Sequence, residues 1–209
     1  MTQEVRKSWQ IAVYKTNKGL LEFQDKLKAA SYENYAKIHA ESGERDSNGR
    51  KRLSRIGVLV SHMANNKLTD QVTFNLSVEE VIWLYEKSIR GGEFGLFLNQ
   101  EKLIAAVKNP DGTSPVSKYQ IGRFDKDKNG VERKLKWFIC AEQGTAIPKG
   151  TRQGGFYSQA GSYKLAQKAM ISLSDFDMFS MLLKAKRYIE AWEQQVMPVI
   201  LQGEVPGID

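Results

Sequence analysis

Val72–Arg90 reads Val-Thr-Phe-Asn-Leu-Ser-Val-Glu-Glu-Val-Ile-Trp-Leu-Tyr-Glu-Lys-Ser-Ile-Arg, and its period changes partway along. Val72, Phe74 and Leu76 alternate with Thr73 and Asn75, the period of a half-buried strand. From Ser77 onward, Val78, Val81, Ile82, Tyr85 and Ile89 recur at helical spacing. Ser77 supplies an N-cap, and Glu80 completes a capping box. Gly91-Gly92 ends the helix.

The same grammar returns at Ala169–Trp192. Met170, Ile171 and Leu173 lead into Ser174, with Asp177 in the following turn. Phe176, Phe179, Met181, Leu182, Leu183, Ala185, Ile189 and Trp192 then supply the apolar positions of a second helix. Ser77 and Ser174 lie 97 positions apart (174 − 77), close to half of the 209 residues. The expected fold is therefore α+β: a duplicated ββββα unit, with two antiparallel sheets and two core helices. The alternative is a strand leading into a capped helix twice without duplication. Residues 1–195 are expected to form one domain of two repeats, about 9–91 and 92–192. Residues 196–209 read as a flexible tail, since Pro198, Gly203, Pro206 and Gly207 oppose regular structure.

Working outward, strands are expected at Trp9–Lys15, Leu20–Leu27, Arg52–Met63, Phe94–Leu98, Ser117–Phe124, Arg133–Ala141 and Tyr163–Leu173. Ser31–Gly43 is ambiguous between helix and connection, and Lys102–Lys108 between strand and helical turn. Ala64–Asp70 reads as a loop, and Gly144–Gly161, rich in Gly, Thr, Ser and Gln, as a mobile loop. Asn48-Gly49 and Asn129-Gly130 mark two hairpin turns, because Asn-Gly readily takes positive φ.

Composition narrows the class. A mean hydropathy of -0.46 and 41% hydrophobic residues describe an ordinary globular chain. No apolar run approaches the ~20 residues that cross a bilayer, so no membrane partner is expected. The N-terminus has no apolar signal core. An intracellular place is expected: cytoplasm or nucleoid in a bacterium, or an organelle after loss of a transit peptide. Cys140, the single cysteine, sits in the run Trp137–Ala141 and reads as a packed strand residue rather than a nucleophile. Asp125-x-Asp127-x-Asn129-Gly130 opens like a calcium loop, but Lys136 stands where a bidentate Glu belongs. His39 and His62 lack metal-ligand spacing. There is no phosphate loop, dinucleotide fingerprint or nucleophile elbow. Nothing points to an enzyme, a cofactor or a metal.

The net charge of +7 and pI near 9.3 favour a polyanionic partner. Basic and aromatic residues interleave on the strands. Rings can stack on bases while cations neutralise phosphates, the chemistry of single-strand binding. Tyr14, Tyr119, Phe124 and Trp137 are the stacking candidates. Lys15, Lys51, Arg52, Arg55, Lys118, Arg123, Lys134 and Lys136 are the phosphate-contact candidates. Each aromatic taken singly could equally be sheet core; the claim rests on the set.

These residues resemble the Whirly family of single-stranded DNA-binding proteins. The resemblance begins at Ile11-Ala-Val-Tyr14-Lys15, with Lys18-Gly19-Leu20-Leu21 as a partial echo of a family motif. It is clearest at Gln71–Glu80 and Gly92-Glu93-Phe94, continues through Lys118–Phe138 and ends with Lys168–Trp192. It implies two antiparallel sheets held by the helices, tetramers assembled through the helical units, and DNA strands along and between sheets with little sequence preference. A related group of transcriptional coactivators uses a half-size ββββα subunit. The incomplete Lys-Gly motif, Tyr32–Arg45 and Gly144–Gly161 depart from the family pattern. The expected function is single-stranded DNA binding in replication, recombination, repair or plasmid and mobile-element maintenance, as a homo-oligomer. The alternatives are an RNA-binding or annealing protein on the same scaffold, and a protein-interaction or inhibitor module.

Overall fold

The computed structural model describes residues 9–31, 37–65, 67–91 and 95–201. Its first four strands are β1 (Gln10–Lys15), β2 (Gly19–Lys26), β3 (Arg55–Ala64) and β4 (Lys67–Leu76), followed by helix α1 (Val78–Arg90). Then come β5 (Gly95–Leu103), β6 (Ser114–Arg123), β7 (Trp137–Ala146), the short β8 (Pro148–Gly150) and β9 (Phe156–Ser158), β10 (Lys164–Leu173) and helix α2 (Asp175–Leu201). The chain is thus α+β, with antiparallel sheets ordered β1-β2-β3-β4 and β10-β7-β6-β5. β8 and β9 form a separate two-stranded sheet.

The period change at Ser77 folds as its chemistry requires. The Ser77 hydroxyl accepts from the Glu80 amide at 3.1 Å, and the Glu80 carboxylate accepts from the Ser77 amide at 2.7 Å. At Ser174 the hydroxyl likewise accepts from the Asp177 amide at 3.1 Å. Each cap satisfies amides that the first helical turn leaves without partners. The inner faces of both sheets close on one core. Phe23, Ile56, Val58 and Leu76 of the first sheet join Ile121, Trp137, Ile139 and Leu173 of the second, with Leu84 and Met178 from the helices. Cys140 is buried in β7.

Several expectations shift. Ala64–Asp70 is not a loop: β3 and β4 run on to a tight turn in which Asn65 takes φ 51°. Asn is among the few residues that tolerate this region. Around β1 the alternating Trp9, Ile11 and Val13 do not mark the inner face: Ala12 is buried and Tyr14 half-buried, while Val13 is 40% exposed. A bulge between Gln10 and Ala12 re-aims its side chains. α2 does not stop near Trp192. It runs through Pro198 to Leu201, because Val196 and Ile200 bury against Ala29. That packing supports a turn that Pro198 weakens by removing one amide donor. The flexible-tail expectation therefore fails for 196–201, and 202–209 lies outside the described residues. Phe176, expected in the core, is 75% exposed. Part of the ambiguous Ser31–Gly43 segment, 32–36, also lies outside them. The remainder is irregular, with a bridge between Ala29 and His39.

Gly144–Gly161 is the largest correction. β7 continues to Ala146, and a hairpin of β8 and β9 spans most of the rest, from Pro148 to Ser158. Gly and Pro lower strand propensity, but cross-strand backbone pairing and a closing turn override it here.

Candidate nucleic-acid interface

Each half carries a hairpin just before its central strand, and the two turns share the same hydrogen bonds. In Asp46–Arg50, the Asp46 carboxylate accepts from the amides of Asn48 (3.0 Å) and Arg50 (2.8 Å). In Asp127–Val131, the Asp127 carboxylate accepts from Asn129 (2.8 Å) and Val131 (3.0 Å). Gly49 and Gly130 close the turns at φ 75° and 80°, where a side chain would strain the backbone. Isolated bridges Arg45↔Lys51 and Lys126↔Glu132 rigidify the stems. The calcium-like spelling of the second turn is explained by Asp127 capping its own backbone.

Five cations on these hairpins differ from several of their neighbours. Arg50, Lys51, Lys126, Lys128 and Lys134 are exposed. Among the described residues none of them has an ion pair. On the second sheet, Lys118 sits 2.9 Å from Glu101 and 3.9 Å from the centre of the Tyr163 ring. Lys168 pairs with Glu142 at 2.7 Å. On the second hairpin itself, Lys136 pairs with Asp125 (3.2 Å) and Glu132 (3.3 Å), which raise its pKa. A cation already holding a carboxylate must give it up to take a phosphate; Arg50, Lys51, Lys126, Lys128 and Lys134 need not.

The remaining sequence-selected residues separate sharply. Trp137 is 1% exposed, and its indole N–H donates to Asp175 at 3.0 Å. It is core, not a stacking face. Arg123 is 6% exposed; it grips Asp175 through Nε (2.7 Å) and Nη2 (3.0 Å) and reaches Asp125 at 3.0 Å. The Arg123 guanidinium holds the Asp175 carboxyl below its ordinary pKa. Arg123 is therefore structural, its guanidinium taken up by two carboxylates. Tyr119 stacks on Phe74 at 4.4 Å and donates to Glu80 at 3.3 Å; burial and that carboxylate push its pKa up to about 12. It too faces inward. Tyr14 is half-buried against the core, and burial, with Asp177 second, raises its pKa. Phe124 is half-buried and stacks on Phe138 at 5.7 Å. Lys15, Lys51 and Lys134 are exposed. Arg55 donates to the Ser54 carbonyl at 2.8 Å and lines an open cleft beside the start of α1. Arg52 is half-buried, with Nε and Nη2 enclosed and without hydrogen-bond partners.

His39 has no distinguishing sequence neighbourhood, yet it ties the 37–54 segment to α2. Its ring stacks on Trp192 at 5.0 Å, with Ser54 Oγ at 2.9 Å from Nδ1 and Glu193 at 2.9 Å from Nε2. The Ser-His-Glu order has the look of a nucleophile relay. Ser54, however, is 2% exposed, and its oxygen accepts the Lys28 amide at 3.1 Å. The arrangement acts as a brace. Among the described residues no group of three or more His, Cys, Asp or Glu is placed to hold a metal, and no helix is long and apolar enough to cross a membrane. No protein-family model, curated protein or solved structure matches the chain.

Proposed function

We propose that this chain is a Whirly-like single-stranded DNA-binding protein, a duplicated ββββα unit that takes the strand by its backbone with little sequence preference. One observation carries the reading: two hairpins built on the same Asp-x-Asn-Gly turn each present exposed cations without carboxylate partners, while Lys118 and Lys168 on the second sheet are paired. Two rigid basic fingers suit an extended polyanion. Replication, recombination, repair and mobile-element maintenance are the processes such a protein serves.

The register of the sheets supports duplication. Ala12↔Phe23 in the first half matches Leu98↔Ile121 in the second, and Ile56↔Leu76 matches Trp137↔Leu173. Both first strands slip register at the same place, between Gln10 and Ala12 and between Leu96 and Leu98. Single-strand rather than duplex binding is favoured by the helices. The exposed positions of α1 are Glu79, Trp83, Glu86, Ile89 and Arg90, a mixture unsuited to a groove. The helices also support self-association. Ile82, Tyr85 and Ile89 share one stripe of α1, Phe176 and Phe179 one stripe of α2, and Tyr85 meets Phe179 at 5.9 Å. Ile89 is 51% and Phe176 75% exposed on that band, apolar area that a second copy of the chain would cover.

The test is anisotropy of labelled oligo-dT of about thirty nucleotides, with duplex and oligo-U as competitors. Binding is expected to resist duplex and to weaken by roughly 0.7 log units per neutralised phosphate for each tenfold rise in salt. Salt-insensitive binding, or none at low salt, would sink the reading. Preference for oligo-U would move it to RNA.

A further inference from the structure

β8 and β9 form an arm between β7 and β10, in register Pro148↔Ser158, Lys149↔Tyr157 and Gly150↔Phe156. Its tip is closed by Thr151, whose amide donates to the Gly155 carbonyl (2.8 Å) and whose hydroxyl accepts the Gly155 amide (2.9 Å). Its base is fastened. The Gln159 amide donates to the Ile147 carbonyl at 2.9 Å, the Ile147 amide to Ser162 Oγ at 3.0 Å, and the Ser158 hydroxyl to Glu101 on β5. The arm is held at its root and against β5, and its residues 149–157 are exposed.

What it displays is aromatic and basic. Phe156 is 58% and Tyr157 46% exposed. From 147 to 163 the chain contains Lys149 and Arg152 and no Asp or Glu. Directly opposite residues share a face of a strand pair, so the Tyr157 ring and the Lys149 ammonium lie on one side of the arm. Phe156 lies on the other, opposite Gly150, where an added Cβ would meet nothing within 4 Å. Each face therefore offers a ring. One has a cation beside it, and the other has open space where a flat group can lie.

We propose that the β8–β9 arm binds nucleotides of the single strand, with Tyr157 and Phe156 stacking on bases and Lys149 and Arg152 on the adjoining phosphates. The inference rests on the single-strand reading above and adds a base-contacting element that the two hairpins lack. A strand held on the hairpins by its phosphates gains base contacts only where rings are exposed, and Trp137 and Tyr119 are enclosed.

The experiment uses the full chain and two double variants, Phe156→Ala with Tyr157→Ala and Lys149→Gln with Arg152→Gln. Anisotropy is measured on oligo-dT and on an abasic strand of equal length, with melting temperature and light-scattering mass as controls. The aromatic variant should bind oligo-dT about tenfold or more weakly, as stacking by alanine substitution indicates. Its salt slope and its binding to the abasic strand should not change. The cation variant should weaken on both strands, its slope falling by roughly 0.7 for each phosphate it no longer neutralises. Unchanged affinity in both variants, with wild-type binding intact, would overturn the arm and leave the hairpin reading standing. Unchanged affinity with a lower mass would also overturn it, assigning the arm to contact between copies. Absence of wild-type binding would overturn both readings.

Discussion

Asp25 and Arg123 occupy matching register positions in the two halves, opposite Ile56 and Trp137, and carry opposite charges. Both are buried, at 4% and 6% exposure. Asp25 accepts the Tyr188 hydroxyl at 2.9 Å and the Leu27 amide at 2.9 Å. Arg123 grips Asp175 and Asp125. In both cases α2 supplies a partner, Tyr188 from its middle and Asp175 from its start. A buried ionic group is tolerated in either sign when its hydrogen bonds are met. The long helix meets them for both sheets, while the shorter α1 serves as a cap. The halves differ again in where they lengthen. The first extends its β2–β3 connection, which His39 braces against α2. The second extends β7–β10 into the arm.

The largest expected break in this comparison is Trp137→Ala. Removing a fully buried indole should cost about 3–5 kcal/mol, against about 2–5 kcal/mol for Ile56→Ala at the matching site. Urea unfolding should show one transition for each, since both side chains belong to one core. Where the protein remains folded, DNA affinity should be unaltered. Weakened binding at full stability would return Trp137 to the interface.

Next is Arg123→Met against Asp25→Ala. Breaking a buried pair costs about 3–5 kcal/mol, but the Asp175 side chain is 49% exposed, so we expect about 2–3 kcal/mol. Asp25→Ala leaves the Tyr188 hydroxyl unmet and should cost about 1–3 kcal/mol. Equal melting temperatures for wild type and Arg123→Met would show that α2 does not support the two halves alike.

The hairpins should respond alike in binding and not in stability. Arg50→Gln with Lys51→Gln, and Lys128→Gln with Lys134→Gln, should each lower the salt slope by roughly 0.7 for every phosphate left without its cation, leaving thermal melts unchanged. A loss confined to one pair would break their equivalence.

The smallest effect is alkaline. Tyr119 and Tyr188 are pushed up to about 12, chiefly by burial. A folded-state pKa above the unfolded value of about 10 means this stability is complete below pH ~10 and is lost as pH rises toward 12. Tyr119→Phe and Tyr188→Phe should each flatten that decline in urea melts across the window. An unaltered slope in Tyr188→Phe would separate Asp25 from its helix.

Local signals were legible where they are local in origin. The capping box at Ser77, the Asn-Gly turns and the alternation of Val72–Leu76 each follow from chemistry within a few residues. The arm was not legible, because Gly and Pro suppress strand propensity and its pairing is specified by hydrogen bonds between strands. The last turns of α2 were hidden for a related reason. Pro198 argues locally against helix, while Val196 and Ile200 find Ala29 more than a hundred residues away in sequence.

The candidate site divides the same way. Sequence alone determined the class: a basic α+β chain, two strand-to-helix passages, two turn-closed hairpins and cations interleaved with rings. Only the tertiary structure decided which of those groups face solvent. Interleaving along a strand sends neighbours to opposite sides of a sheet, and sequence does not say which side is core. The bulge in β1, the pairing of Arg123 with Asp175 and the enclosure of Trp137 settle that, because burial and charge pairing depend on groups that meet only once the sheets have closed.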